Sequence, residues 1–412
     1  MTELRLTTSR LAQLAMAIGP GLVVMLADTE AGSVIAAAQS GAQWGYRLLL
    51  LQFLIIPLLY MVQELSIRLG LGTGKGYGEL VRMRFGPALA SLSTITLVIS
   101  CFGALVTEMS GLAGAGQLFG IPAWQTIVFL IVAIFGMVWT GSYRSVERIA
   151  IFLGLFELAF LVVAWKSHPD TSQVVAQLTQ IPLNDKNYLY LVAACLGTSI
   201  MPWTVFYQQS ALIDKGLGLQ HLNAARIETL IGAILCQCVT AAVLVGAAAC
   251  IKLADPASGL SSVPQIADAF TTALGHTFGR IVFVIGMAGG ALVATIVVCL
   301  TVAWGVGEAT GRRHSLEQHP TEAPWFYAAF GIMLVAAGLL VCSGINLIRL
   351  SIATGVANAL LLPIVLGFLY KLARSELSGS LRPSGVYAKA VALIFVLAAG
   401  TGLYCGIAGA WN

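Results

Sequence analysis

Apolar runs of about 20 residues, the length a helix needs to cross a bilayer, recur along the whole chain between short polar stretches. Run length and flanking polarity predict eleven spans. They are Leu11–Gln43, Tyr46–Leu71, Leu89–Gly114, Pro122–Gly141, Ile149–Trp165, Tyr188–Leu212, Thr229–Leu253, Ile281–Val306, Trp325–Cys342, Leu347–Leu372 and Val386–Ala408. A polar loop runs from His168 to Lys186, and the longer loop Ala254–His276 is expected to carry a short surface helix. No polar segment exceeds roughly 25 residues, well below domain size, so residues 1–412 read as one transmembrane domain.

Two of these spans are interrupted. In span 1 the stretch Leu26-Ala27-Asp28-Thr29-Glu30-Ala31-Gly32-Ser33 places two carboxylates and a glycine where a membrane helix should have none. An unpartnered buried carboxylate costs several kcal/mol, and glycine weakens the helix locally. The plain alternative is that Asp28 and Glu30 end the first helix at the outer surface. Span 6 is interrupted at Thr198-Ser199-Ile200-Met201-Pro202. Its proline removes an N–H and clashes with the carbonyl four residues back, which frees carbonyls near Thr198. An ordinary proline kink explains span 6 taken alone. The two breaks lie five spans apart, at matching positions of two five-span halves, and an odd number of spans per half inverts the second half. That pattern is the mark of an inverted-repeat transporter. The halves read as 11–166 and 187–372, with an eleventh helix at 386–408.

Composition agrees with the membrane reading. Of 412 residues 58% are hydrophobic and 10% charged, against about 25% charged in soluble chains. The net charge of +4 is too small to suggest a nucleic-acid partner. The segment Met1–Arg10 is polar and no small-residue cleavage site follows a short apolar core, so no cleavable signal peptide is expected. With the N-terminus in the cytoplasm, 16 of the 22 Lys and Arg fall on the inner side and Arg47, Lys166, Lys186, Lys252, Arg280 and Arg349 on the outer. That asymmetry predicts a multi-pass protein of the cell (inner) membrane with its N-terminus inside and C-terminus outside. The eight cysteines, nearly all in apolar runs, read as buried free thiols.

The two breaks offer carboxylate oxygen from Glu30 and Asp28, hydroxyls from Ser33 and Thr198, freed carbonyls, and the Met201 thioether. Hard oxygen ligands suit Mg2+, Ca2+ or Mn2+, and a thioether adds preference for softer transition metals. An amino-acid carrier of this architecture would offer free N–H groups to an anionic substrate, and an acidic first break repels such a substrate. Simple packing remains the alternative for Met201.

The residues at this point resemble the NRAMP family of divalent-metal transporters, in particular its divergent NRAMP-related branch. The resemblance covers nearly the whole chain. It rests on Gly19-Pro20-Gly21, Gly41-Ala42-Gln43-Trp44-Gly45-Tyr46, Arg68-Leu69-Gly70 through Thr73-Gly74-Lys75, Thr107-Glu108-Met109-Ser110-Gly111, and Met201-Pro202 followed by Ser210-Ala211-Leu212. It implies an all-α polytopic membrane protein of the leucine-transporter-type fold. That fold has two inverted five-helix repeats plus an eleventh transmembrane helix, with helices 1 and 6 broken around the metal site. The implied cargo is Mn2+, Mg2+ or Fe2+, carried as substrate; no cofactor is implied, and the protein is expected to work as a monomer.

Several positions depart from the family pattern. The family's first-helix motif is Asp-Pro-Gly-Asn, where this chain reads Glu30-Ala31-Gly32-Ser33. By resemblance Glu30 takes the place of the Asp ligand and Ser33 that of the Asn, while Asp28 becomes an outer or entry carboxylate. In helix 6 the family reads Ala-x-x-Met-Pro-His, against Thr198-Ser199-Ile200-Met201-Pro202-Trp203 here. The sulfur ligand is kept, the Thr198 carbonyl replaces the alanine carbonyl, and Trp203 stands where the histidine would. Helix 3 keeps Glu108 but has Leu105 in place of an Asp. Imidazole titrates near pH 6.5 and relays protons, whereas indole does not, so proton coupling is expected to be weak or absent. Sulfur is a poor Mg2+ ligand, which ranks Mn2+ first with Mg2+ close behind.

Other polar residues have bland readings beside functional ones. Glu64 and Arg68, four apart, suggest an intrahelical pair. Glu108 deep in span 3 suggests an ion or proton pathway. Gln208 and Gln209 either face an inner pathway or bond neighbouring helices, and Asn358 is ambiguous in the same way. His314 and His319 read as a solvated loop. Two alternatives to metal transport are a symporter for amino acids or similar organic substrates, and a non-transporting receptor. No nucleophile–base pair or cofactor loop suggests an enzyme, and Gly72-Thr73-Gly74-Lys75-Gly76 lacks phosphate-loop spacing.

Overall fold

In a computed structural model, described for residues 19–138, 143–253, 259–310 and 324–410, the chain is built from helices. Among the described residues eight helices are long and apolar enough to cross a membrane, and the bent pair Pro20–Asp28 and Ala31–Trp44 makes a ninth. Two shorter apolar helices, Ala123–Gly136 and Tyr327–Val341, complete the set of spans read from the sequence. The opening residues of span 1 before Gly19, together with Arg5, Arg10, Arg312, Arg313, His314 and His319, lie outside the described residues.

Span 1 consists of Pro20–Asp28 and Ala31–Trp44, and span 2 is Leu49–Thr73. A surface helix, Tyr77–Phe85, precedes span 3 at Pro87–Gln117; span 4 is Ala123–Val138. Span 5 runs through Tyr143–Gly154, a 3-10 turn at Leu155–Leu158, and Ala159–Lys166. After a loop helix at Thr171–Leu178, span 6 consists of Lys186–Ser199 and Pro202–Asp214, and span 7 is Leu222–Cys250. The expected surface helix before span 8 is Val263–Leu274. Spans 8 to 11 are His276–Thr310, Pro324–Val341, Leu347–Ser375 and Gly385–Ala410.

Helix boundaries follow local chemistry. Proline stands at the first positions of the first half of span 1, the second half of span 6 and span 3, where its missing N–H costs nothing. Gly74 ends span 2 in the left-handed conformation, with φ of 64°. Asp185 caps span 6 by accepting from the N–H groups of Asn187 and Tyr188 at 2.8 and 3.1 Å.

The packing repeats itself when the first five spans are exchanged for the second five. Span 1 lies along span 7, and span 6 along span 2. Span 3 crosses span 10, span 8 crosses span 5, and spans 3 and 8 pack on each other. Each break is therefore surrounded by protein. Outside this bundle, large apolar side chains such as Phe129, Leu339 and Val396 are exposed, as lipid-facing surfaces are.

The Glu64–Arg68 pair is present, and it is the centre of a larger junction. Glu64 Oε1 accepts from Arg68 Nε at 2.5 Å and lies 2.7 Å from Arg226 Nη2 of span 7, while Oε2 accepts from the Tyr387 hydroxyl of span 11 at 2.7 Å. Glu64 is buried, and removing one member of a buried ion pair costs about 3–5 kcal/mol. Glu64→Gln is expected to lower the thermal unfolding midpoint in detergent more than Arg226→Gln, whose side chain is 26% exposed. Equal midpoints for the two variants would contradict this account.

Candidate functional site

Span 1 leaves the helix at Thr29 (φ −81°, ψ 47°), and Glu30 is extended (φ −73°, ψ 170°). Glu30 stands at the N-cap of the second half without capping it. Its carboxyl folds over Gly32, where an added Cβ would come within 2.7 Å of Glu30 Oε1; the close approach requires glycine. The cap comes from span 3: Glu108 Oε2 accepts the Ala31 N–H at 3.1 Å, a carboxylate at a positive helix end. The Glu30 and Glu108 carboxyls lie within hydrogen-bonding reach of each other. Two ionised carboxylates about 4 Å apart repel by roughly 4 kcal/mol at an effective dielectric of 20, a cost that a cation or a shared proton removes.

The Ser33 hydroxyl bridges the break by donating to the Asp28 carbonyl at 2.7 Å, and its oxygen keeps acceptor capacity. The Asp28 side chain turns the other way, toward span 7, where the Cys236 thiol donates to Oδ2 at 3.6 Å.

Span 6 breaks at Ile200 (φ −136°, ψ 84°) and Met201 (φ −94°, ψ 146°), before Pro202. The Thr198 hydroxyl donates to the Cys195 carbonyl at 3.3 Å, and its own carbonyl belongs to the last turn of a helix that stops at Ser199. The Met201 carbonyl accepts from the Thr204 hydroxyl at 2.9 Å. The Trp203 indole N–H donates to Met201 Sδ at 3.1 Å and so fixes the thioether. The first half of span 1 packs on the second half of span 6, and the second half of span 1 on the first half of span 6, so the breaks sit side by side.

Every one of these residues is buried. Among the described residues Asp28 Oδ1, Glu30 Oε2, Glu108 Oε1, both carboxyl oxygens of Glu157 and both amide atoms of Gln208 have no hydrogen-bond partner. Such groups demand a counter-charge or water. Among the described residues no group of three or more His, Cys, Asp and Glu has metal-binding geometry. A cation at the breaks would therefore need mixed donors: the Glu30 carboxylate, the Ser33 hydroxyl, the Thr198 carbonyl and the Met201 sulfur.

Glu157 was not picked out from the sequence, although it is an acid inside an apolar run, the same signal that marks Glu108. It stands on the 3-10 turn of span 5, beside Thr29, with Gly290 of span 8 leaving room for both; a Cβ there would lie 2.7 Å from Glu157 Oε1 and 2.8 Å from the Thr29 carbonyl. Gln209, paired with Gln208 in the sequence reading, donates to the Lys75 carbonyl at 2.5 Å and so bonds between elements.

The model of the Nramp family, natural resistance-associated macrophage protein-like, matches residues 21–408. The chain belongs to that family. It is 29% identical over 208 residues to metal transporter Nramp3 of Oryza sativa subsp. japonica, covering 48% of this chain and 37% of that one. It is 28% identical over 280 residues to divalent metal cation transporter MntH 1 of Pseudomonas aeruginosa, covering 64% and 62%. The chain thus spans less than two thirds of the length of either relative. In structure it is similar to the manganese transporter of Eremococcus coleocola, solved with an aromatic bis-isothiourea substituted compound. The TM-score is 0.74 at 18% identity, over 95% of this chain and 86% of that one. It is also similar to MhsT in complex with L-phenylalanine, with a TM-score of 0.61 at 14% identity over 94% and 98%. This Nramp-family chain has the leucine-transporter-type fold of two inverted five-helix repeats and an eleventh helix.

Because Glu108 opposes Glu30, Glu108→Gln keeps an acceptor for the Ala31 N–H and removes one charge. Its thermal midpoint in chelator-washed protein should rise by a few degrees, whereas Glu108→Leu, which loses the cap, should lower it. A fall with Glu108→Gln would argue that the two carboxyls do not repel.

Proposed function

We propose that this protein carries divalent metal ions across the membrane by alternating access, Mn2+ first, with Mg2+ and Fe2+ as competing cargo. The observation that carries the reading is the buried Glu30 carboxylate, held by one helix break with an unpartnered oxygen, beside a second break that presents the Met201 thioether. The names of the relatives, a divalent metal cation transporter and a metal transporter, support the cargo class, and a manganese transporter shares the fold. Glu30, Ser33, the Thr198 carbonyl and Met201 hold the ion. Asp28, turned toward Cys236, acts from outside the ligand set. Glu108 offsets the ion's second charge, and Gln208 faces its path.

The buried site corresponds to an occluded state. The repeats 11–166 and 187–372 move against each other around it, with the N-terminus inside, and one copy suffices. On the inner side Glu228 of span 7 accepts the N–H groups of Gly19 and Leu22 at 2.6 and 2.7 Å, clamping the first half of span 1 shut. On the outer side Gln39 accepts the Leu260 N–H at 2.8 Å. An organic-substrate symporter is disfavoured because the acid at the first break repels a carboxylate substrate.

Coupling to protons is weak or absent. Trp203 spends its one N–H on Met201 and has no second titratable nitrogen, and Leu105 is buried and apolar. Proteoliposomes carrying an internal pH dye should take up Mn2+ down its gradient without acidifying; acidification that tracks metal entry would overturn this. Met201→Ala should narrow the preference for Mn2+ over Mg2+ and Ca2+ about ten-fold in competition uptake while leaving part of the Mn2+ transport, since a thioether favours softer ions. Unchanged competition would reduce the sulfur to packing.

A further inference from the structure

At the end of the bundle where span 10 finishes, a cavity of about 590 Å³ is lined by Arg84, Lys371, Arg374 and Arg382, with Tyr370 at its rim. Four cations converge there. The carboxylate beside them is Glu376, whose Oε1 lies 3.7 Å from Arg84 Nε and also accepts from the Ser375 hydroxyl. Arg374 is held in place by donating to the Pro383 carbonyl at 2.9 Å. The lining thus carries excess positive charge built on three separate elements: the surface helix Tyr77–Phe85, span 10, and the link to span 11.

The same tyrosine also lines a second cavity. An apolar groove of about 470 Å³ runs between spans 10 and 11 past Pro363, Gly367, Tyr370, Phe395, Gly400 and Leu403. Gly367 and Gly400 are exposed, and a Cβ added to either would meet no atom within 4 Å, so both positions face open space in the groove. A basic cavity opening onto a lipid-facing apolar groove matches one ligand chemistry, a phosphate with an acyl chain attached.

We propose that the Arg84–Lys371–Arg374–Arg382 cavity and the span 10–span 11 groove together form a binding site for an anionic phospholipid, headgroup phosphate among the cations and acyl chain along Gly367 and Gly400. The site lies away from both helix breaks and does not depend on which metal is carried.

The test is native mass spectrometry of the whole detergent-solubilised protein titrated with phosphatidylglycerol, phosphatidylcholine of the same chains, or inorganic phosphate. The wild-type protein should retain phosphatidylglycerol in clear preference to phosphatidylcholine. The double variant Lys371→Gln/Arg382→Gln, which alters two exposed side chains, should lose roughly five-fold in that preference per cation removed. Gly400→Leu, which fills the groove, should weaken phosphatidylglycerol binding and leave any phosphate binding unchanged. Equal retention of the two lipids, or a preference untouched by the double variant, would overturn the site. Inorganic phosphate competing as well as the lipid, with Gly400→Leu silent, would overturn the lipid assignment. Circular dichroism of each variant separates lost binding from lost fold.

Discussion

A carboxylate in the middle of a membrane protein is tolerated only if something nearby repays its lost hydration, and the arrangement around Glu30 is shaped by that demand. The chain there leaves the helix, which in lipid is possible only where protein covers the freed backbone groups. Span 3 supplies one cover, since Glu108 takes the Ala31 N–H. Span 6 supplies another by breaking alongside. Glycine at position 32 is what lets the Glu30 carboxyl lie against the helix that follows it. The backbone interruption, the acid and the neighbouring break lie together and share the same cover.

The same physics recurs at the ends of the helices, with a different outcome. Glu228 caps the start of span 1 through two N–H groups, and Glu308 of span 8 accepts from the Gly78 N–H at 2.8 Å and from the Ser210 hydroxyl at 2.5 Å. Both carboxyl oxygens of Glu308 are occupied by the protein. Among the described residues Glu30, Glu108, Asp28 and Glu157 each keep at least one oxygen without a protein partner. Burial alone does not separate a structural acid from a working one, because all of these are buried. Glu308 differs from those four in leaving neither oxygen for a ligand to satisfy.

The spans, both breaks and the pairing of Glu64 with Arg68 were legible in the sequence because each depends on local chemistry: run length, proline and glycine, and four-residue spacing. The direction in which a side chain turns was not. Asp28 and Glu30 are two residues apart, and the break between them sends one toward Cys236 on span 7 and the other over Gly32 toward span 3. Glu64 read as half of an intrahelical pair, but its further partners, Arg226 and Tyr387, stand far along the chain. Glu157 carried the local signal of a lone acid in an apolar run, but its meaning came from Thr29 and Gly290, which only the fold brings to it.

Trp203 shows how one substitution couples selectivity to energetics. A histidine at this position would offer a second nitrogen able to hold or release a proton. Indole offers one donor only, and here it is directed at the Met201 sulfur. That bond engages one sulfur lone pair and fixes the orientation of the thioether. If Glu30 and Ser33 hold the ion as proposed, a Glu30 longer than an aspartate and a Ser33 smaller than an asparagine would move the weight of coordination to the oxygen side of the site. On the proposed ligand set an ion that prefers an oxygen shell would be less strongly rejected, which keeps Mg2+ among the proposed cargo.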